Sequence, residues 1–376
     1  MAKTNRAQFI DMLKGWALLV MIEVHVFNSF LNPEIKSQSW FSIINFINGL
    51  VAPAFTFTSG MVFILSFQKG LDELRKFGTK FWKRLGRLTL IFIAGYSIHI
   101  THLSLRKISN PEYPYMLQEF YRVDILQCIA VGLILLMFIR MLIKSDNIFF
   151  ATILLLDVLL IVLGPLAWKT DFTNYMPLAL ANYFNPMYGS LFPLFPWIAF
   201  IFTGALFGKL YIEFKNRNEE KRFAMYLAIG GAVCFVISFI LLGYIFPDSI
   251  KILKPNFVFF IERVCALLAL LGIFWFYINR YENYNSFILD VSRESLQVYW
   301  LHLMLLHGRF FNGKNIIDVL GNQNNILTCL GITVFLAVLM IFIAKGWGWL
   351  KAKYPVIISR FVLVTVSVCL LIFFIF

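Results

Sequence analysis

The sequence predicts an all-α fold, a polytopic bundle of about eleven helices in a membrane, and three observations carry that prediction. Over 376 residues the chain is 60% hydrophobic and only 14% charged, with 42 Phe, and its mean hydropathy is +0.77, which lies outside the soluble range. Apolar runs near the length needed to cross ~30 Å of hydrocarbon recur at 9–30, 41–67, 82–103, 120–142, 148–167, 190–212, 223–246, 256–278, 288–307, 326–345 and 356–376. The connections between them alternate in basic charge. Of the 33 Lys and Arg, 22 fall on the side of the N-terminus, ten on the other, and Lys14 lies within the first span. The positive-inside rule then puts the N-terminus in the cytoplasm and, after an odd number of spans, the C-terminus outside. It also accounts, with anionic lipid, for the net charge of +13, so that charge is not read as nucleic-acid binding.

No connection is long enough for a soluble domain, so residues 1–376 are read as one transmembrane domain with its chemistry in the membrane or at its faces. The first span is not a cleavable signal peptide, because Asp11 and Lys14 interrupt its apolar run and no small-residue cleavage site follows. Five scattered cysteines, Cys128, Cys234, Cys265, Cys329 and Cys369, contain no C-x-x-C pair and indicate neither a disulfide framework nor a zinc site. The longest connection, about 168–189, is rich in Asn, Pro and Tyr and lies outside, where it suits a lid or an acceptor-binding surface.

The first span, "DMLKGWALLVMIEVHVF", carries four ionisable residues, each costing a few kcal/mol at membrane depth, which points to a use. Eleven steps of about 100° put His25 roughly 20° beyond three full turns from Lys14, so the two share a face about 16 Å apart along the axis. Asp11, three residues before Lys14, lies near that face. Glu23 points elsewhere and is expected to pair with another helix. In the second span Ser59-Gly60 sits at mid-membrane, where small residues favour close helix packing. At the cytoplasmic end of the third, Arg84 and Arg87 stand one turn apart. Arginine forks suit phosphate oxygens, although these two also fit the basic cytoplasmic belt.

Arg122, Asp124 and Gln127 open the fourth span from outside, and Asp157, deep in the fifth, needs a partner or a proton. All five histidines, His25, His99, His102, His302 and His307, fall in the outer halves of their spans. Imidazole handles protons near neutral pH, so this one-sided distribution suggests base chemistry there. A metal is the weaker reading, since only His99 and His102 are close in sequence and no carboxylate accompanies them. The ninth span, "SRESLQVYWLHLMLLH", places Ser292, Ser295, Tyr299 and His302 on one polar stripe, which suits a bundle interior or wet cavity and also plain helix-helix hydrogen bonding.

Taken in order, these motifs resemble the transmembrane acyltransferase superfamily. They are Lys14 eleven positions ahead of His25, Ser59-Gly60, Arg84-x-x-Arg87 and "SLQVYWLH". The stretches "IDMLKG", "YRVDILQCIAVGLIL" and "LFPWIAFIFTGALFG" are more similar to the heparan-α-glucosaminide N-acetyltransferase-like catalytic domains than to the related acyltransferase-3 proteins. The chain departs from both: Lys14 stands where an arginine is usual, and no histidine occurs between Phe27 and Trp40, where animal lysosomal members carry their proposed active one. His25 is therefore matched to the acyltransferase-3 position, and the acceptor stays open.

The resemblance implies transfer of an acyl group, acetyl above all, from cytoplasmic acyl-CoA to a hydroxyl or amine of a sugar or glycan on the outer side, an O- or N-acyltransferase reaction. Arg84, Arg87 and Lys14, with Asp11 beside Lys14, would meet the CoA phosphates. The pantetheine arm would thread the bundle toward His25, acting as general base or transient acyl carrier. Tyr299, His302 or Ser59 would hydrogen-bond the developing oxyanion. The expected partners are acyl-CoA, the glycan acceptor and the lipid bilayer, with a homodimer open and no nucleic acid or metal. The expected location is the inner (plasma) membrane of a bacterium, with cell-envelope glycan as substrate. The competing class is a proton-coupled transporter with Glu23, His25, Asp124 and Asp157 as relay, but it predicts paired repeats, which the sequence lacks.

Overall fold

The computed structural model describes residues 7–67, 71–100, 102–251, 253–281, 284–308 and 315–375. Lys3, Arg6, Lys69, Arg309 and Lys314, which enter the charge count above, lie outside them. The principal helices are α1 (Gln8–Phe30), α2 (Val51–Phe67), α3 (Thr79–Ile98), α4 (Ile125–Leu142), α5 (Asp146–Lys169), α6 (Leu194–Asn216), α7 (Glu220–Ile240), α8 (Phe257–Asn279), α9 (Phe287–Arg293), α10 (Ser295–His307), α11 (Ile326–Lys353) and α12 (Pro355–Ile375). Among the described residues, eight helical segments are long and apolar enough to cross a membrane: Phe41–Phe67, α4, α5, α6, Glu220–Ile245, α8, α11 and α12. The protein is an integral membrane protein of all-α class. The other three expected spans correspond to α1, α3 and the α9–α10 pair, whose polar residues or interruption keep them outside that group.

By its internal contacts the chain forms two compact units. The first comprises Met1–Leu13, Ala52–Tyr96 and Tyr121–Glu282. Its centre is α6, where every residue from Ile198 to Ala205 is buried, so α6 meets neighbours on all sides. It crosses α2 at a pair of glycines. A methyl group on Gly60 would collide with the carbonyl oxygen of Ile201, and one on Gly204 with that of Phe57. Helices α7 and α8 repeat the device, with Gly231 against Ala269 and Gly272 against Ala228. Without a hydrophobic force between helices in lipid, such close backbone approach supplies the packing, as expected for Gly60.

Local chemistry sets the helix ends. Asp124 N-caps α4 in a capping box, with Gln127 accepting from the Asp124 backbone N–H at 3.2 Å, so α4 starts later than the apolar run and these two polar residues have a structural use. Asp157 accepts a 2.7 Å hydrogen bond from Thr203, joining α5 to α6. In the 168–189 connection, Asn185 donates to the Thr170 carbonyl, Asn182 to that of Tyr121 at 2.9 Å, and Tyr188 to Asp171 at 2.9 Å. That segment is pinned at several points, which does not suit a hinged lid.

The second unit comprises Lys14–Val51, Ser97–Phe120 and Asn283–Phe376. Two expectations are corrected here. Helix α3 ends at Ile98, so His99 and His102 lie past it and not in the outer half of a span. The chain is already turning toward the helix Leu105–Ile108, which Ser104 caps by accepting from Lys107 N at 3.2 Å. The ninth span is broken at Glu294, with backbone angles of −103° and 28°, between α9 and α10. Its carboxylate receives the Lys351 ammonium at 2.8 and 3.0 Å. The polar stripe therefore does not run unbroken, and only Ser295, Tyr299 and His302 share a continuous helix.

Candidate active site

Within the second unit, α1 lies against α9 and α10. Gly15 makes the approach possible, since a Cβ there would collide with the Ile288 carbonyl oxygen. Further along, the His25 ring lies 5.3 Å from that of His302 and 6.1 Å from that of His307, centroid to centroid. Tyr299 packs edge-on to His302 at 5.8 Å. Burial grades across the group: His302 is fully buried, Tyr299 nearly so, His25 half-buried and His307 exposed. Trp300, on the same helix, donates its indole N–H to Ser97 at 2.7 Å, fixing α10 in rotation.

The tautomer of His302 follows from its partner. Its Nδ1 lies 2.8 Å from the Val298 carbonyl oxygen, which can only accept, so Nδ1 carries the proton and Nε2 is left as an acceptor. That Nε2 is buried and has no hydrogen-bond partner. A neutral His302 thus cannot donate to an oxyanion, one of the roles expected of it, and offers a lone pair instead. Tyr299 carries a phenol, a group that can donate. Lys14 lies on the same helix as His25 and is half-buried. Glu23 is hydrogen-bonded to Asn48, on the helix Phe41–Asn48, the inter-helix pairing expected of it. Nothing in the sequence singled out Asn48.

The remaining expected residues belong to the first unit. Asp11 is buried in the first turn of α1. Ser59 is half-buried next to the tight Gly60 crossing. Arg84 donates to the Ser66 carbonyl at 2.6 Å and lies 3.8 Å over the Phe67 ring, so it closes the C-terminal end of α2. Arg87 is exposed. Sequence reasoning passed over one buried pair, Glu262 and Arg263 on α8, 2.6 Å apart. The guanidinium also stacks 3.7 Å over Phe259. No group of three or more His, Cys, Asp or Glu among the described residues has the arrangement of a metal site.

A buried imidazole acceptor beside a second imidazole at the polar face of a membrane helix suits proton transfer during group transfer. The family model for the catalytic domain of heparan-alpha-glucosaminide N-acetyltransferase matches residues 6–247. The chain belongs to that family. Membership implies a membrane acetyltransferase, in a family whose donor is acetyl-CoA. The part matched to the heparan-alpha-glucosaminide N-acetyltransferase family contains Asp11, Lys14, His25, Ser59, Arg84 and Arg87, and ends before Tyr299 and His302. No curated protein matches the chain.

Proposed function

We propose that this protein transfers an acetyl group from acetyl-CoA, bound from the cytoplasm, to a hydroxyl or amine of a sugar or glycan on the outer side of a bacterial plasma membrane. The observation that carries the reading is the His25–His302 pair within a member of an acetyltransferase family. The acceptor oxygen or nitrogen attacks the thioester carbonyl while His25 takes its proton. The carbon–sulfur bond then breaks and the proton passes to the departing thiolate, giving free CoA. His302 is a positioning residue: with its Nδ1 held by the Val298 carbonyl, it sets an imidazole lone pair beside the His25 ring, 5.3 Å away centroid to centroid. Tyr299 hydrogen-bonds the developing oxyanion. Arg87, Arg84 and Lys14, with Asp11 beside it, meet the CoA phosphates. Ser59 goes to helix packing.

The transporter alternative loses two of its relay members to other duties, Asp124 to a helix cap and Asp157 to Thr203. Purified protein in detergent with labelled acetyl-CoA and a panel of amino sugars and oligosaccharides distinguishes the two classes. Acetyl transfer or acceptor-stimulated release of CoA is expected. Substrate flux into vesicles containing no acyl donor, with no transfer in detergent, contradicts the proposal.

A further inference from the structure

The first unit carries an apolar groove on helices long and apolar enough to cross a membrane. Between α6, α7 and α8 a groove of about 280 Å³ is lined by apolar side chains, among them Phe207, Phe214, Phe223 and Tyr226, with Gly230 along it and Cys234 at its deep end. Its depth comes from a missing side chain. Nothing lies within 4 Å of the place a Cβ on Gly230 would take, whereas at Gly231 the same atom would be 2.6 Å from the Ala269 nitrogen. One glycine draws α7 onto α8 and its neighbour leaves the opening. From Phe223 to Cys234 the groove follows eleven residues of α7, or roughly 16 Å, close to half of the ~30 Å hydrocarbon core. That is the depth of one leaflet.

The shallow end opens at the connection between α6 and α7, where Lys215, Arg217, Lys221 and Arg222 outnumber Glu219 and Glu220 within eight positions of the chain. Arg222 is held at the rim: its Nε donates to the Tyr226 hydroxyl, a groove residue, at 2.6 Å, and its Nη1 meets Glu219 at 3.3 Å. Lys221 beside it is exposed. We propose that the groove holds one acyl chain of an anionic phospholipid, with the headgroup phosphate against Arg222 and Lys221. Groove depth selects a lipid tail over a compact ligand, and the cationic rim selects an anionic headgroup. The site is independent of the acyl-transfer reading.

The test uses full-length protein in nanodiscs of phosphatidylcholine doped with phosphatidylglycerol carrying a diazirine near the end of one chain. Irradiation is followed by peptide mapping. Label is expected to concentrate on Phe207–Phe214 and Phe223–Cys234, with a phosphatidylcholine probe of the same tail labelling them several-fold less. Gly230→Leu, which enters open space and needs no backbone shift, should lower that label several-fold while leaving the label on Pro355–Ile375 unchanged. A Lys221→Gln, Arg222→Gln double variant should lower labelling by the anionic probe alone. Label as dense on Pro355–Ile375 as in the groove, or insensitive to Gly230→Leu, overturns the site. Equal labelling by the two probes overturns the headgroup assignment.

Discussion

Arg84 and Arg87 stand one turn apart on α3, yet only Arg84 is tied down. Its hydrogen bond to Ser66 and its stacking on Phe67 make it a closing piece of α2, worth about 1.5–3 kcal/mol for the charged hydrogen bond and ~0.5–1 for the cation–π contact. Arg84→Ala should therefore lower thermal stability as well as acetyl-CoA affinity. Arg87→Ala should leave stability within about 0.5 kcal/mol, as for most exposed sites. It should weaken acetyl-CoA binding roughly 10- to 150-fold, the value of one charge-assisted contact. Calorimetric titration alongside thermal melts separates the two, and unchanged affinity in Arg87→Ala would reduce that residue to a topology signal. Residue types and spacing made Lys14, His25 and the paired arginines candidates in the sequence. The tautomer of His302 was not, because it depends on which carbonyl its ring meets, and neither was Asn48, an ordinary polar residue whose importance comes only from facing Glu23.

At the scale of elements, helix positions followed from apolar length, and helix ends did not. Asp124 and Ser104 begin helices by capping them, and Glu294 interrupts one while paired with a lysine 57 positions away. None of these events changes a hydropathy average. The Gly60–Gly204 crossing makes a sharp prediction. Gly60→Ala or Gly204→Ala must separate α2 from α6, and overpacking of that kind costs about 1–3 kcal/mol or more. Gly331→Ala on α11, with nothing within 4 Å, should be neutral or stabilising by up to about 1 kcal/mol through helix propensity. Melting temperatures in one detergent test the contrast, and equal effects at the two kinds of site would refute the crossing. In the 168–189 connection, hydrogen bonds from Thr173 and then Tyr188 hold the Asp171 carboxyl below its usual value. A depressed carboxylate contributes order fully above the unfolded value near ~3.9 and loses it as pH falls through the lower folded value. Amide exchange over Thr173–Met187 should therefore stay slow from pH 7 to about 4 and quicken below that. Asp171→Asn should exchange faster throughout, and a pH-independent rate in the wild type after correction for intrinsic exchange would contradict this.

For the whole molecule, the three expected spans missing from the eight apolar ones are those carrying Lys14 and His25, Arg84 and Arg87, and Tyr299 and His302. Polar residues make these helices less apolar, so a length-and-hydropathy reading is weakest where the chemistry is proposed to lie. Direction supports counting them. Gly15 meets Ile288 and His25 meets His302, so α1 runs parallel to α9–α10 and an odd number of crossings separates them. The proposed eleven spans, with α3 counted among the seven between them, meet that condition. On the eleven-span proposal, a reporter fused after Gly70 should be cytoplasmic and one after Phe376 external, and the opposite pair of results would reverse donor and acceptor sides together. The central claim is that His25 performs the transfer chemistry, and the most direct measurement is acetyl transfer by His25→Ala beside wild type and His302→Ala, each first shown to extract normally and to bind acetyl-CoA. Loss of a catalytic base costs two or more orders of magnitude in rate, so His25→Ala should be essentially inactive and His302→Ala, a positioning variant, milder. Retention of more than about a tenth of wild-type transfer by His25→Ala, too small a loss for the catalytic base, would make His25 structural and contradict the account.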